Sequence, residues 1–259
     1  MKWAAPAALV AAAIGGWELL ARLGSVEDYL LPAPSEVARA LVEDRSLLLP
    51  DTWVTAREVM LGFGLAIAAG LAIAIVLHLS PLLRRAFYPL VVASQAVPIV
   101  VIAPILVIWF GFGITPKLIV IALICFFPVV VNTLDGLRSV DQDQLKMLRT
   151  LDASRWDVFR RLELPSALPF LFSGAKIAVA VSVIGAIFGE LVGSDAGLGH
   201  AIQVGTAELL TARVFAAVLI LSALAIALFG LVAAAERLAL PWMHGGSRLP
   251  WASRKRSPS

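Results

Sequence analysis

The chain has 259 residues, of which 60% are hydrophobic and 15% are charged, and its formal net charge is +3. Soluble globular domains carry about 25% charged residues, so this composition excludes an ordinary soluble domain. The single cysteine, Cys125, excludes an internal disulfide and a cysteine-ligated metal site. The 12 Phe, 7 Trp and 2 Tyr suit membrane interfaces better than a nucleic-acid surface, which leaves a multi-pass membrane protein.

Six apolar stretches are long enough, at about 20 residues each, to be membrane-spanning helices. They cover about residues 3–23, 54–79, 89–110, 117–137, 169–192 and 213–240. We therefore expect an all-α membrane protein with six transmembrane helices. The loop between the first two spans contains an amphipathic stretch, Ser35 to Val42, which should lie along the membrane surface.

The basic residues predict the orientation of these spans. With both termini in the cytoplasm, 14 Lys and Arg side chains fall in cytoplasmic segments and 6 in external ones, as the positive-inside rule favours. The sequence then divides into three parts. They are residues 1–53, the first helix and an extracellular amphipathic loop; 54–240, a core transmembrane domain with a cytoplasmic loop at 138–168; and 241–259, a basic tail expected to be disordered.

The predicted cytoplasmic loop, residues 138–168, carries the start signals of two short helices. Ser139 followed three residues later by Gln142 forms a capping box, which predicts that the first helix begins there. Ser154 followed by Asp157 has the same spacing and predicts the start of the second helix. The loop is therefore a pair of short helices joined by a turn.

The second of these helices should end before Pro165, because proline disfavours the α conformation in the residue that precedes it. Trp156 and Phe159 are three residues apart and should be exposed together on one face, with Arg155 and Arg160 beside them. An aromatic surface with a basic rim suits docking into a groove on another protein. The alternative, which composition does not separate from docking, is that Trp156 packs beneath the protein's own helices.

The same loop resembles the EAA loop of binding-protein-dependent ABC importer permeases over residues 148–169, LRTLDASRWDVFRRLELPSALP. That family's pattern is Glu-Ala-Ala, three residues, Gly, nine residues, Ile, one residue, Leu-Pro, and Leu162, Leu164 and Pro165 fit its end. Other stretches resemble the nitrate, sulfonate and taurine branch of the family. They are 31–35, LPAPS; 98–104, followed by 109–113, WFGFG; and Glu190 with 197–199, GLG.

The chain departs from the family pattern at two places in the loop. The Glu-Ala-Ala triplet is replaced by Lys-Met-Leu at 146–148, and the glycine is replaced by Asp152. Glycine permits a left-handed turn between two helices, whereas aspartate adopts it at a cost. Asp152 should therefore either adopt another backbone geometry or cap the helix that follows.

The resemblance implies a permease subunit of a type I ABC importer in the bacterial inner (plasma) membrane, a transport protein rather than an enzyme. It implies three partners: an ABC ATPase subunit, an extracellular or periplasmic solute-binding protein, and a second permease chain, expected to form a homodimer. We expect no catalytic residues, cofactor, metal site or nucleic-acid partner. The implied ATPase contacts are Asp152, Ala153, Ser154, Arg155, Trp156, Phe159 and Arg160.

Prolines and glycines within the spans are candidates for the solute pathway. Pro98 and Pro104 should kink the third span and free backbone carbonyls, which either line a pathway or bond to neighbouring groups. Gly185 and Gly189 lie one helical turn apart on the fifth span, and Gly193 continues the row. This ridge of small residues either packs tightly against another helix or lies at the pathway between two chains.

Charged groups inside spans are functional candidates, because their burial in lipid is costly. Glu190 lies near the outer end of the fifth span, where it either forms part of a gate or is hydrated. Lys176 should extend to the membrane interface, and Arg57 with Glu58 should form surface anchors. His78 has no carboxylate or second histidine at a ligand spacing, which argues against a metal site.

Two other classes of function are alternatives to transport driven by ATP. An intramembrane enzyme needs a nucleophile and base at membrane depth, and the spans offer little beyond Ser173 with Lys176. A secondary transporter or channel would favour repeated halves and midplane ion ligands, which the sequence lacks.

The substrate is suggested by one stretch of the chain. Residues 131–140, VNTLDGLRSV, resemble the corresponding stretch of permeases for hydroxymethylpyrimidine, the thiamine precursor, or for riboflavin. A sulfonate, taurine or nitrate is the second candidate.

Overall fold

The computed structural model describes residues 4–23, 27 and 29–244, and every regular element in those ranges is a helix. The predicted disordered tail lies outside the described residues from position 245 onward. The helices are α1 (Ala4–Leu23), α2 (Pro34–Glu43), α3 (Arg45–Leu79), α4 (Pro81–Ala93), α5 (Ile99–Phe110), α6 (Ile114–Arg138), α7 (Gln142–Thr150), α8 (Arg155–Val158), α9 (Leu164–Gly193), α10 (Leu198–Ala207), α11 (Thr211–Ala239) and α12 (Pro241–His244).

Four long helices in the described ranges are apolar enough to cross a membrane: α3, α6, α11 and the helix that runs from α8 through α9. The bent pair α4 and α5 makes a fifth if it is counted as one span. Helix α1 has 20 residues, as the sequence predicts, but contacts the rest of the chain mainly through α2. The all-α membrane fold is confirmed, while the count of six spans and the sides of the termini remain predictions.

The third predicted span, residues 89–110, is wrong as a single helix. A break after α4 separates it from α5, and the two axes differ by 100°. A single 3₁₀ turn, Ser94–Ala96, follows α4, and Val97 is extended at φ −83° and ψ 119°. This conformation follows from Pro98, because proline restricts the residue before it to extended geometry and cannot donate a hydrogen bond. Pro104, the other predicted kink, lies inside α5.

Helix α6 lies at the centre of the fold, between α3 and α9. Its side chains Val120, Ile121, Cys125 and Val129 are fully buried. Glycines on the neighbouring helices allow this close packing, because a methyl group at Gly174 of α9 would lie 2.6 Å from the backbone oxygen of Pro128. Helices α6 and α9 are thus in close backbone contact, whereas Gly62 and Gly70 of α3 make room for the side chains of Ile121 and Val129.

The surface helix predicted between the first two spans is present as α2, and it buries Val37 and Ala40 against the bundle. Asp44, at its carboxyl end, accepts hydrogen bonds of 2.8 and 3.0 Å from the guanidinium of Arg213 on α11. Glu18 of α1 accepts a 3.0 Å hydrogen bond from the backbone N–H of Ser35. These contacts attach α1 and the loop after it to α11.

The predicted helix end before Pro165 is wrong, because one helix of 39 residues runs from Arg155 to Gly193. Residues Phe159–Glu163 form a π-helical turn, in which the N–H of Leu164 bonds to the carbonyl of Phe159. A π turn widens the helix and moves the carbonyl that the proline ring would otherwise meet. The proline is thereby accommodated without a break, and α8 is continuous with α9.

Candidate functional site

The turn between α7 and α8 ends α7 in a Schellman motif. The N–H of Ala153 bonds to the carbonyl of Leu148 at 3.1 Å, and the N–H of Asp152 bonds to that of Arg149 at 3.2 Å. Asp152 has a φ of 53°, the left-handed conformation that glycine usually provides at this position. Asp152 thus takes the left-handed conformation itself and Ser154 caps the next helix, so the predictions of another backbone geometry at Asp152 and of a cap by Asp152 are both wrong.

Of the two helix caps predicted for the loop, one is confirmed and the other is wrong. Ser154 caps α8 as predicted, since its hydroxyl accepts a 3.1 Å hydrogen bond from the N–H of Asp157. Helix α7 is capped by Asp141, whose carboxylate accepts a 2.8 Å bond from the N–H of Asp143. Ser139, the predicted cap, instead donates its hydroxyl proton to the carbonyl of Gly136 and ends α6.

Three large apolar side chains of the loop are exposed. Met147 is 64% exposed, Leu151 68% and Trp156 63%. We call this group the apolar loop surface. Among the predicted contact residues, Asp152, Ser154, Arg155, Trp156 and Arg160 are exposed and Ala153 is half-buried. Trp156 is therefore not packed beneath the protein's own helices, which was the alternative that composition left open.

Phe159 corrects the prediction of a paired aromatic surface, because it is only 4% exposed. It packs in a small core with Leu137 and Ala167, and its ring stacks on that of Trp156 at a centroid distance of 5.5 Å. The two rings are neighbours but only Trp156 is exposed, so the spacing of three residues brings them together without giving a shared exposed surface. Phe159 supports Trp156 from below.

The loop is also attached to the end of α3. His78 lies 2.8 Å from a carboxylate oxygen of Glu163 and packs against the ring of Phe159 at 6.4 Å. The guanidinium of Arg155 donates a 3.2 Å hydrogen bond to the carbonyl of Leu79. A partner for His78 could not be predicted, because Glu163 lies 85 positions away along the chain. A displacement of the apolar loop surface would therefore move α3 and α9 together.

A second polar cluster lies at the opposite end of α3, around Glu190. This carboxylate is fully buried, accepts a 2.6 Å hydrogen bond from the hydroxyl of Thr55, and accepts another from the N–H of Gly199. Asp51 accepts a 2.8 Å bond from the N–H of Gly197. Glu190 is thus not hydrated, and it positions the start of α10 against α3.

Sequence reasoning missed the ion pair beside Glu190. The ammonium of Lys117 lies 2.7 Å from Glu58 and donates a 2.6 Å hydrogen bond to the hydroxyl of Ser194. Lys117 and Glu58 are both buried, so the prediction that Glu58 is a surface anchor is wrong. One signal in the sequence could have indicated this pair. Lys117 begins a long uncharged apolar run, and lysine is almost never fully buried without a partner.

The predicted pathway residues separate into two groups. Gly185 and Gly189 pack against the backbone of α6, where added methyl groups would lie 3.1 Å from the Cα atoms of Ile121 and Lys117. Their ridge therefore serves packing within the chain. Pro98 lies at the break between α4 and α5 and lines a cavity of about 960 Å³.

Lys176 forms a 2.7 Å ion pair with Glu236 rather than extending alone to the interface. In the described part of the chain, no group of three or more His, Cys, Asp or Glu side chains is placed to hold a metal ion. The contact of His78 with Glu163 and the cluster around Glu190 instead connect helices to one another.

Comparison with known proteins places this geometry in context. Residues 63–239 match the family model of the binding-protein-dependent transport system inner membrane component. The chain is 37% identical over 227 residues to the formylaminopyrimidine transport permease protein ThiX of Halalkalibacterium halodurans, covering 87% of this chain and 90% of the relative. It is 34% identical over 228 residues to the riboflavin transport system permease protein RibX of Chloroflexus aurantiacus, covering 87% and 85%.

The fold is also that of a solved transporter. A chain of the MetNI methionine ABC transporter in an inward-facing conformation superposes with a TM-score of 0.61 at 18% identity. The match covers 74% of this chain and 97% of the other. At that level of identity the comparison concerns the fold alone.

Proposed function

Because the chain belongs to the family of binding-protein-dependent transport system inner membrane components, we propose that its 138–168 loop receives the force of an ATPase and that its helices form half of a solute pathway. The chain is a permease subunit of an ABC importer in the bacterial inner membrane. It is not an enzyme. It works with a separate ATPase subunit and a solute-binding protein.

The observation that supports the coupling role is the exposure of Trp156 on a supported helix. Its side chain projects from α8, while the Phe159 ring beneath it is buried and the His78–Glu163 contact fixes the adjacent turn. Aromatic residues that are exposed, rigid and surrounded by arginine are typical of the centres of protein interfaces. Asp152, Ala153, Ser154, Arg155 and Arg160 surround Trp156 in this proposal, and Phe159 acts through it.

The proposal includes the orientation and the assembly of the subunit. Both termini and the 138–168 loop lie in the cytoplasm, as the distribution of basic residues favours. Helix α1 also crosses the membrane, which brings the number of spans to six. Two copies of the chain form a homodimer around the pathway. Glu190 and the start of α10 lie at the external end, where the solute-binding protein would approach.

For the substrate, we propose a small heteroaromatic compound of the kind found in thiamine synthesis or in riboflavin. The names of two relatives support this class, since one is a formylaminopyrimidine permease and the other a riboflavin permease. The sequence of the 131–140 stretch favours the same class. A sulfonate, taurine or nitrate is the alternative, and uptake of each by cells carrying the complete transporter distinguishes them.

Replacement of Trp156 by Asp tests the coupling proposal. We expect the variant to lose copurification with the ATPase subunit, because a charged side chain replaces the exposed aromatic contact, while the permease keeps its thermal stability. Trp53→Asp is the matched control, since Trp53 is 72% exposed at the other end of α3. Copurification of Trp156→Asp at the level of the unaltered chain, in membranes where Trp53→Asp also copurifies, would contradict the proposal.

A further inference from the structure

The break between α4 and α5 places irregular backbone within a bent apolar pair. Residues 94–98 are all exposed in the single chain, and the only regular structure among them is one 3₁₀ turn. Backbone that is not helical is tolerated at membrane depth only where it is buried in protein or lines a water-filled cavity. The break therefore cannot face lipid in the assembled transporter.

The break forms the rim of a groove of about 960 Å³ between α3, α4, α5, α6 and α9. This size lies within the range of cavities that hold small organic molecules, about 300–1,000 Å³. Nearly all of its lining is aliphatic or aromatic, including Phe87 and Phe126, and its polar side chains are Ser94 and Gln95. No acidic or basic side chain of the described residues lines it.

The two polar residues differ in what they offer to a solute. The hydroxyl of Ser94 donates a 2.7 Å hydrogen bond to the carbonyl of Val91, so its proton is already used. The side-chain amide of Gln95 has no hydrogen-bond partner within the described part of the chain. Gln95 thus presents two N–H donors and one carbonyl acceptor at the edge of an apolar groove.

The chemistry of this lining determines which solute fits. Transfer of an anion such as a sulfonate into an apolar site without a cationic partner carries a large desolvation penalty. An uncharged heteroaromatic ring would lose little on entering, because aromatic side chains such as Phe87 and Phe126 line the groove for its faces and an amide can pair with its ring nitrogens and amino groups.

From this combination, we propose that the groove at the α4–α5 break is a passage site for an uncharged heteroaromatic solute, and that Gln95 determines this selectivity by hydrogen bonding to the ring's polar edge. The inference rests on the proposed function and adds to it a place in the pathway and a specificity-determining residue.

A first experiment tests whether Gln95 faces water in the membrane. The chain's only cysteine, Cys125, is fully buried, so Gln95→Cys can be introduced into the otherwise native protein. In the complete transporter in lipid nanodiscs, we expect a charged thiol reagent to label Gln95→Cys. Ile226→Cys is the control, since Ile226 is 73% exposed on α11, faces lipid in this arrangement and should stay unlabelled. Equal, low labelling of both variants would overturn the inference.

A second experiment tests selectivity. We expect Gln95→Ala to lower uptake of radiolabelled formylaminopyrimidine by about 3- to 10-fold, the effect of losing one or two uncharged hydrogen bonds. Formylaminopyrimidine should also slow labelling of Val97→Cys, an exposed position of the same groove that leaves Gln95 in place, and an alkyl sulfonate should not. Ser222→Ala, which removes an exposed polar side chain on α11 outside the groove, should transport like the unaltered chain.

The outcomes separate the two proposals. Unchanged uptake by Gln95→Ala, or protection by the sulfonate instead, would overturn the role of Gln95. Absence of formylaminopyrimidine uptake by the unaltered transporter would refute the proposed substrate, and the labelling contrast between positions 95 and 226 would still decide whether the groove is open to water.

Discussion

Removal of the buried ammonium of Lys117 should strongly destabilise the helix bundle. In Lys117→Met, Glu58 loses the partner that lies 2.7 Å from one carboxylate oxygen, and its other oxygen already lacks a hydrogen bond. The side chains of the pair are only 7% and 5% exposed, so water cannot replace the lost contact. Truncating one partner of such a pair costs about 3–5 kcal/mol, because the remaining charge is left buried and uncompensated.

The double variant Glu58→Gln/Lys117→Met should recover most of that loss. It removes both charges, and a buried ion pair replaced as a unit by uncharged side chains is often close to neutral in stability. We therefore expect the double variant to be more stable than Lys117→Met alone. On the surface, Lys146→Met removes an exposed partner of Asp143 and should change the free energy of unfolding by less than about 1 kcal/mol.

Thermal unfolding of the purified permease in detergent, followed by tryptophan fluorescence, measures these differences. A double-mutant cycle of the two single variants and the double variant gives the coupling energy directly. Two results would refute the reasoning: a Lys117→Met variant as stable as Lys146→Met, or a double variant that loses the sum of the two single effects.

Two further predictions concern backbone geometry. Asp152→Gly should raise the unfolding free energy by about 1 kcal/mol, because glycine adopts the φ of 53° without the steric cost of a side chain; a lower melting temperature would contradict this. Gly174→Ala should lower the melting temperature, since its methyl group would lie 2.6 Å from the backbone of Pro128. Gly230→Ala, which meets no atom within 4 Å, should be neutral or stabilising by up to about 1 kcal/mol, and equal effects at the two glycines would contradict the packing argument.

The fold could be predicted from the sequence wherever hydropathy and local caps determine the structure. The spans that became α3, α6 and α11 follow from uninterrupted apolar runs, and the Ser154 cap follows from its own side chain and that of Asp157. Each of these signals lies within one helix and acts over a few residues. The expectation that Asp152 adopts another backbone geometry or caps the next helix was wrong, because Asp152 takes the left-handed conformation itself.

The errors arose where a tertiary arrangement overrode a local rule. Pro165 usually ends a helix, but a π turn accommodates it and keeps α8 continuous with α9. Phe159 lies beside Trp156, as the spacing of three residues predicts, but its ring is buried against Leu137 and Ala167. At Pro98 the prediction erred in the other direction, because the predicted kink is a complete break and the axes of α4 and α5 differ by 100°.

The polar contacts of the candidate site could not be predicted because their partners are far apart in sequence. Glu58 meets Lys117 at a separation of 59 residues, and Thr55 meets Glu190 at 135. Hydropathy indicated that these groups needed partners but not which partners they have, since that depends on how α3 and α9 pack around α6.

The uninterrupted helix from Arg155 to Gly193 has a mechanical consequence. Its 39 residues span about 58 Å at 1.5 Å per residue, nearly twice the hydrocarbon thickness of a bilayer. A tilt of about 5° around its middle would displace each end by roughly 2.5 Å, in opposite directions. Motion applied at Trp156 would thus reach the Glu190 cluster within a single rigid body, and opening at one membrane face would be tied geometrically to closing at the other.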